Sequence, residues 1–340
     1  MRHLRYILFP LTLCYWLFTY CRNKFFDWGI LHQTYFRIPI ISIGNITVGG
    51  TGKTPHVQYI ISLLLNKNIA TLSRGYKRKS KGFVLSQEQT TVAELGDEPY
   101  LLQKRFPNVH VAVCEKRVDG VNALLDKISD LQVVILDDAF QHRYVKPGLQ
   151  IVLIDYNRPL WSDYVFPVGY MREGAYALRR ADVIVVSKCP ETLDEGTAKQ
   201  WKEKLASFGK RVFFSAMEYG SVYDFATKQE YSNQQFFTDK KICLITGISQ
   251  PAPLLEYVKK FGCDVHHIAF PDHYSYSEND VELLDEMSLQ RTLVTTEKDV
   301  YKLSEIIPSK QLFVVPVMPK ILFSEAYDFE NCVSAFVEKK

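Results

Sequence analysis

The apolar run "IPIISI" ends at Gly44, and the chain continues as "GNITVGGTGKTP" to Pro55. Glycines at 49, 50 and 52 let a backbone curl so that successive N–H groups point at one phosphate chain. A helix starting directly afterwards adds its own N-terminal N–H groups and dipole. In a loop of this kind Lys53 reaches the outer phosphates and the Thr54 hydroxyl ligates Mg²⁺. Pro55 fits the first helical turn, where its missing N–H costs nothing. Thr47, Gly49, Gly50, Thr51, Gly52, Lys53 and Thr54 are therefore the candidates for holding a nucleoside triphosphate. Thr47 stands where the Gly-x-x-x-x-Gly-Lys-Thr pattern begins with glycine. The rival reading, a glycine-rich turn that merely contains Lys-Thr, leaves the strand before it and the helix after it unexplained. The unit constrains the fold, because a buried strand feeding a helix in this way belongs to a parallel sheet covered on both faces.

The rest of the first half fits that constraint. Short apolar runs at Ile38–Ile43, Ala70–Ser73, His110–Cys114, Val133–Asp137, Gln150–Asp155 and Val183–Ser187 read as strands. Helical stretches separate several of them, at Pro55–Leu65, Pro99–Lys104, Val118–Ile128 and Glu173–Arg180, with another near Thr197–Ser207. The pattern then alternates aromatic and polar residues around Gly220, as a β-ribbon does. A second alternating block starts at "KICLITGIS", and Tyr327–Val337 reads as a closing helix. The expectation is an α/β chain. An N-terminal segment covers residues 1–28, a P-loop domain 29–210, a ribbon linker 211–236, a smaller α/β domain 237–325 and a C-terminal helix 326–340.

A phosphate loop needs a carboxylate on a neighbouring strand. "VVILDDAFQHR" supplies Asp137 and Asp138 at a strand's C-terminal end, where an acid can hold Mg²⁺ directly or through water. The guanine-reading Asn-Lys-x-Asp pattern is absent. The nearest stretch, "VVSKCPE", lacks the aspartate but puts Lys188 where it can lie along a base. Arg74 and Tyr76 in "LSRGYKRKSKG" close a strand and suit a second substrate. The lysines after them read either as a solvated turn or as a basic lip for anionic lipid headgroups. In "ELGDEPY", Asp97 and Glu98 open a helix. They are either capping acids or, for Asp97, a general base taking a hydroxyl proton as the γ-phosphoryl leaves ATP. His273 in "FPDHYSYSEND" sits on a proline-containing turn, and a lone histidine is more often structural.

A net charge of +3 gives no case for nucleic acid. Seven scattered cysteines with no Cys-x-x-Cys pair read as reduced thiols. The N-terminus is the anomaly. Arg2 and Arg5 precede an apolar, aromatic run from Tyr6 to Cys21, and Arg22 and Lys24 follow it. A run of about 16 residues reaches roughly 24 Å as a helix, short of the ~30 Å hydrocarbon layer. A single span, a buried helix and a membrane-surface anchor remain open. Tyr15, Trp16, Tyr20 and Trp28 between basic ends favour the surface.

Taken together and in order, "SIGNITVGGTGKTP", "LSRGYKR", "GDEP", "ILDDAFQHR", "PVGYMRE", "RRADVIVVSK", "ITGISQP", "FPDHYSY" and "TTEKD" resemble the tetraacyldisaccharide 4′-kinases of Gram-negative bacteria. The resemblance runs from Ser42 to Asp299. It implies two α/β/α domains joined by a β-ribbon. It also implies transfer of the ATP γ-phosphate to the 4′-hydroxyl of a tetraacyl disaccharide 1-phosphate at the cytoplasmic face of the inner membrane; no obligate protein partner is evident in the sequence. By position it implies Lys53 and Thr54 for the triphosphate and Mg²⁺, with Asp138, Asp137 and Glu98 near the metal. Asp97 is implied as the base and His273 as the group that orients it, through a closing step that excludes water. Arg74, Tyr76, Arg117, Gln141, His142 and Glu173 are the implied lipid contacts. Ala139 departs from the family's Asp-Asp-Gly pattern, which narrows the space expected beside the acceptor. Another P-loop transferase on a small soluble substrate, or a nucleotide-gated membrane switch, would share the loop.

Overall fold

The computed structural model describes residues 7–308 and 310–339, so Arg2, Arg5 and Tyr6 of the N-terminal run lie outside the described residues. The chain divides into two compact units, residues 1–217 with 319–340, and residues 218–318.

The first unit opens with α1 (Phe9–Asp27), β1 (Ile40–Asn45), α2 (Lys53–Leu63), β2 (Ile69–Ser73) and β3 (Val84–Leu85). There follow α3 (Val92–Leu95), α4 (Asp97–Arg105), β4 (His110–Val113), α5 (Arg117–Lys127) and β5 (Val133–Asp137). It continues with β6 (Leu149–Asp155), β7 (Val183–Ser187), α6 (Glu195–Leu205) and β8 (Arg211–Tyr219). The stretch read from sequence as a helix at Glu173–Arg180 is a 3₁₀ turn over Ala175–Arg180. The second unit holds β9 (Val222–Asp224), β10 (Glu230–Tyr231), α7 (Asn233–Phe237), β11 (Lys241–Thr246), α8 (Ala252–Lys259) and β12 (Asp264–Ala269). It ends with α9 (Glu278–Gln290), β13 (Thr292–Thr296), α10 (Glu297–Ile306) and β14 (Leu312–Val315), and β15 (Val317–Ile321) and α11 (Ala326–Glu338) close the chain.

Among the described residues, the larger sheet has the order β15-β8-β7-β6-β1-β5-β2-β4-β3. β1 lies between β5 and β6 and is parallel to both. Every residue of β1, β5, β6 and β7 is buried, which is why each reads as a near-continuous apolar run rather than an alternating one. From β1 the chain moves outward to β2 and β4, then returns to β5 on one side of β1 and β6 on the other. The order reverses at β1, and a ligand crevice forms outside the carboxyl ends of strands at such a point. The phosphate loop leaves β1 there.

The second sheet has the order β10-β9-β14-β13-β11-β12, parallel from β14 through β12 and antiparallel at β9 and β10. The segment 211–236 is therefore not one local ribbon. Within it β8 pairs in parallel with β7 on one side and lies beside the distant β15 on the other, whereas β9 and β10 complete the second sheet. α11 belongs to the first unit: Phe329, Val333 and Val337 join the apolar cluster of Ile41, Val57 and Ile61, and Tyr59 donates to Glu330 at 2.6 Å.

Candidate active site

The phosphate loop is held from behind. Asn45 Nδ2 donates to Gly49 O at 3.3 Å, Lys188 Nζ to Gly50 O, Ser187 Oγ to Thr51 O at 2.8 Å, and His56 Nδ1 to Gly52 O at 2.7 Å. A trans peptide sends its C=O and the following N–H in opposite directions. Four consecutive carbonyls drawn back into the protein thus turn the next N–H groups towards the crevice. At the last of these positions Gly52 has φ +80° and starts α2 with no side-chain cap. Its first N–H groups remain open to an anion.

His56 makes the Gly52 bond as a neutral ring, with Nε2 accepting from Ser215 Oγ at 3.0 Å on β8. Burial pushes it down to about 4. The unfolded ring binds a proton near pH 6.5 and the folded ring does not, so this group's contribution is present above about 6.5 and is lost as pH falls towards 4. At about 1.4 kcal/mol per pKa unit the loss is on the order of 3 kcal/mol. Urea titrations of His56→Asn are expected to show a shallower loss of stability than wild type across that window.

Lys53 Nζ lies 3.7 Å from Asp138 Oδ1. Asp138 has φ +49°, a left-handed conformation that aspartate tolerates better than most residues and that turns its carboxylate towards the loop. Arg172 reaches the same carboxylate at 3.0 and 3.2 Å and Gln141 Oε1 at 3.3 Å. Burial works to raise Asp138, but Lys53, Arg172 and Arg117 outweigh it and hold the group below the usual carboxylate range. Asp137 moves the other way. Its burial, and the nearby Glu98 and Asp138 carboxylates, push it up. Among the described residues its Oδ1 has no hydrogen-bond partner.

That orphaned oxygen, with Asp138 and the Thr54 hydroxyl, suits Mg²⁺. The described residues contain no cluster of three metal-binding side chains, but Mg²⁺ commonly takes one or two carboxylates and completes its shell from phosphates and water. The residues present fit the ion.

Sequence reading passed over Arg172, and the signal lay in pairing. Val48 N donates to Tyr170 O at 2.6 Å, Arg172 N donates to Ile46 O at 2.7 Å, and Thr47 bridges Met171. The segment "YMR" thus runs beside the base of the phosphate loop. Thr47 is buried in that pairing and does not line the crevice.

Two further islands meet at a pair of glycines. Gly96 has φ +88°, and a Cβ there would lie 2.8 Å from Tyr76 O. The close approach presses the Arg74–Tyr76 turn against the start of α4, so Asp97 and Glu98 open their helix beside the exposed Arg74 and Tyr76. Of the basic run, Arg78 is structural: it binds Glu115 at 2.5 Å and Gly82 O at 2.6 Å. Lys77, Lys79 and Lys81 are exposed around an open cavity of about 390 Å³ that Arg74 and Tyr76 also line.

The remaining lipid candidates divide. Arg117 is buried, donates to Cys114 O at 2.6 Å, and burial lowers it to about 10. His142 accepts from Arg117 N at 3.3 Å. Burial first, then the positive charges of Arg117, Arg22 and Arg74, hold it at about 4, a neutral ring. Gln141 is half-buried and donates to Asn45 O at 3.0 Å. Glu173 is 1% exposed and closed in by Arg180 at 3.0 Å and Asn23 at 2.6 Å. In this structure its carboxylate is engaged by Arg180 and by Asn23 of α1. The Ala139 methyl is taken up by the apolar cluster containing Leu136 and Val145, so it does not crowd the crevice.

In the second unit, "ITGIS", "FPDHYSY" and "TTEKD" start at the carboxyl ends of β11, β12 and β13. Buried Asp299 accepts from Gly247 N at 2.9 Å and Thr296 Oγ1 at 2.8 Å, tying two of these turns together. His273, at φ +60°, lies 3.8 Å from Asp272, which Lys298 also contacts.

A parallel sheet with a phosphate loop at its switch point, a lysine on that loop and an aspartate across from it define a P-loop phosphotransferase. A family model described as tetraacyldisaccharide-1-P 4'-kinase, LpxK, matches residues 4–337, and the chain belongs to that family. The tetraacyldisaccharide 4'-kinase of Phocaeicola vulgatus is 37% identical over 98% of this chain and 95% of its own length. That of Flavobacterium johnsoniae is 41% identical over 93% of each. The crystal structure of "apo" form LpxK from Aquifex aeolicus in complex with ATP matches with a TM-score of 0.76 at 29% identity, covering 98% of this chain and 99% of that one.

Proposed function

We propose that this chain transfers the γ-phosphate of ATP to the 4′-hydroxyl of a tetraacyl disaccharide 1-phosphate, at the cytoplasmic face of the inner membrane. The observation that carries the reading is the convergence on one sheet edge of a back-bonded phosphate loop, the Lys53–Asp138 pair and the Arg74–Tyr76 and Asp97–Glu98 turns. The loop N–H groups and Lys53 bind the triphosphate. Thr54 and Asp138, with Asp137 and Glu98 close by, would hold Mg²⁺, which would supply positive charge to the phosphates. Asp97 accepts the proton of the attacking hydroxyl, and His273 keeps the auxiliary role that the resemblance implies. Arg74, Tyr76 and the Arg117–His142 pair receive the sugar and its 1-phosphate.

Membrane contact is read from α1, whose burial is inverted. Thr12, Thr19 and Asn23 are buried, while Leu11, Leu13, Leu17 and Phe18 are more than half exposed. The inward face is wired to the body by polar bonds: Val168 N to Thr12, Tyr15 to Arg172 O, Arg22 to Gln141 O and Arg143 to Asn23 O. Trp161, Tyr164, Phe166 and Tyr170 add exposed aromatic surface, and Phe9 and Tyr15 touch Tyr164 and Phe166. An apolar face this continuous marks a contact surface. No helix among the described residues is long and apolar enough to cross a membrane, and the exposed apolar face of α1 supports a surface reading for it. Leu17→Glu combined with Phe18→Glu is expected to abolish flotation with anionic vesicles while leaving the melting temperature unchanged. Unchanged flotation would refute the assignment.

Radiolabelled ATP incubated with the tetraacyl disaccharide 1-phosphate in mixed micelles tests the reaction. A labelled lipid is expected. Release of free phosphate alone would make the nucleotide switch the better reading.

A further inference from the structure

A lysine and an aspartate stand behind the phosphate loop and have no part in the transfer itself. Lys188 follows β7 with φ +58°, an uncommon conformation for a lysine, and its side chain runs back under the loop to Gly50 O. Asp155, at the end of β6 and 1% exposed, faces it with Oδ2 3.6 Å from Nζ, while its Oδ1 accepts from Asn157 N at 2.9 Å. The amine therefore sits beneath the loop, not in the open beside a base. We infer that Lys188 is a positioning residue that presets the phosphate loop for the triphosphate, with Asp155 as its anchor.

The peptide joining Gly50 to Thr51 lies between glycines at 49 and 50 on one side and 52 on the other, residues that hinder rotation least. In the observed orientation Lys188 takes its carbonyl, so the Thr51 N–H faces the crevice. Rotated the other way, the same peptide would aim a carbonyl oxygen at the phosphate oxygens. A donor that holds the carbonyl back selects the competent orientation, and losing it lowers apparent affinity by the fraction of time the loop spends competent. Asn45, Ser187 and His56 do the same for their own carbonyls as neutral donors. Lys188 differs in being charged, so its placement depends on a buried counter-charge. Nothing in the chemistry of the acceptor enters, so the effect falls on ATP and not on the lipid.

The inference rests on the kinase reading of the loop, and the experiment separates the two. Binding of Mg²⁺ with a non-hydrolysable ATP analogue is measured by calorimetry on the full-length protein, alongside KM for ATP, KM for lipid and kcat. Lys188→Met is expected to raise the analogue Kd and KM for ATP by about tenfold or more, the factor for a loop competent about a tenth of the time. KM for lipid stays put, and kcat at saturating ATP changes by less than about threefold, as expected when only nucleotide binding is touched. Lys188→Arg, which keeps charge and donors, restores most of the affinity. Asp155→Asn shifts the same parameters less. The double variant Lys188→Met, Asp155→Asn is expected to be no weaker than Lys188→Met alone, because the anchor acts only through the lysine. It also removes both buried charges, so it gives a folded protein even where one unpaired charge would not. An affinity within twofold of wild type in the double variant, or single effects that add, would overturn the brace. Failure of wild type itself to bind the analogue would instead overturn the kinase reading.

Discussion

Asp97→Asn is expected to lower kcat by about two to four orders of magnitude, the range ascribed to a positioned general base, with KM for ATP nearly unchanged. Asparagine keeps the size and the polar contacts of aspartate but cannot accept the substrate proton. A purely structural role predicts a different pattern. Asp97 begins α4, and Glu98 shares its first turn. If Asp97 served only to offset the helix dipole, the amide would cost at most about 1 kcal/mol of stability and leave turnover alone. The two roles therefore separate on one variant. A collapse of kcat with an unchanged melting curve identifies the base, while a small stability loss with wild-type kcat identifies a cap and removes Asp97 from the mechanism. Lys53→Met provides the contrast, since its loss affects the nucleotide side as well.

The parts of this protein that could be read from its sequence are those whose physics is local. Val183–Ser187 shows as a strand because a run buried on both faces has to be continuously apolar, and the observed strand has the same bounds. The phosphate loop shows because glycine, lysine and threonine at fixed spacing meet the needs of one bound group. The Asp137–Asp138 edge shows because an acidic pair cannot continue an apolar strand. What could not be read depends on distant partners. β8 looks like half of a hairpin with the aromatic stretch after it, yet it lies between β7, to which it is parallel, and β15, which comes about a hundred residues later. Arg172 carries no sequence mark, because its place beside Asp138 is set by pairing of residues 170–172 with the base of the loop. The donors behind the loop come from β1, α2 and β7, and only the folded sheet brings them together. The partial guanine motif around Lys188 allows it to lie along a base, and its φ, which sends it under the loop, has no sequence signature.

Glu173 is where the sequence and the structure point to different experiments, and Glu173→Ala is expected to be the most destabilising of the changes considered. The carboxylate is 1% exposed, pairs with Arg180 at 3.0 Å and accepts from Asn23 on the inner face of α1 at 2.6 Å. Removing one partner of a buried ion pair leaves the other uncompensated and costs about 3–5 kcal/mol. Here Arg180 is the stranded charge, although its guanidinium keeps a bond to Phe140 O and sits over the Phe140 ring. Asn23 loses its acceptor in the same step. α1 would then keep the bonds of Arg143 to Asn23 O and Asp27 and those made through Thr12, Tyr15 and Arg22. The variant should unfold at markedly lower urea and expose the link between α1 and β1 to limited proteolysis. Glu173→Ala with Arg180→Met should recover part of the loss, since no buried charge is then unpaired. If the carboxylate instead contacts the lipid, Glu173→Ala would raise KM for lipid while stability and protease resistance stayed at wild-type values. The structure favours the first result for a reason that extends past this residue. Thr12, Tyr15, Arg22 and Asn23 reach the same short stretches, 141–143 and 168–173, that deliver Gln141 and Arg172 to the Asp138 carboxylate. The helix proposed to meet the membrane and the acid proposed to serve the phosphate are thus joined through a few polar contacts. Loosening α1 at Glu173 is accordingly expected to lower turnover as well, through the position of Arg172, even with the acceptor in saturating excess.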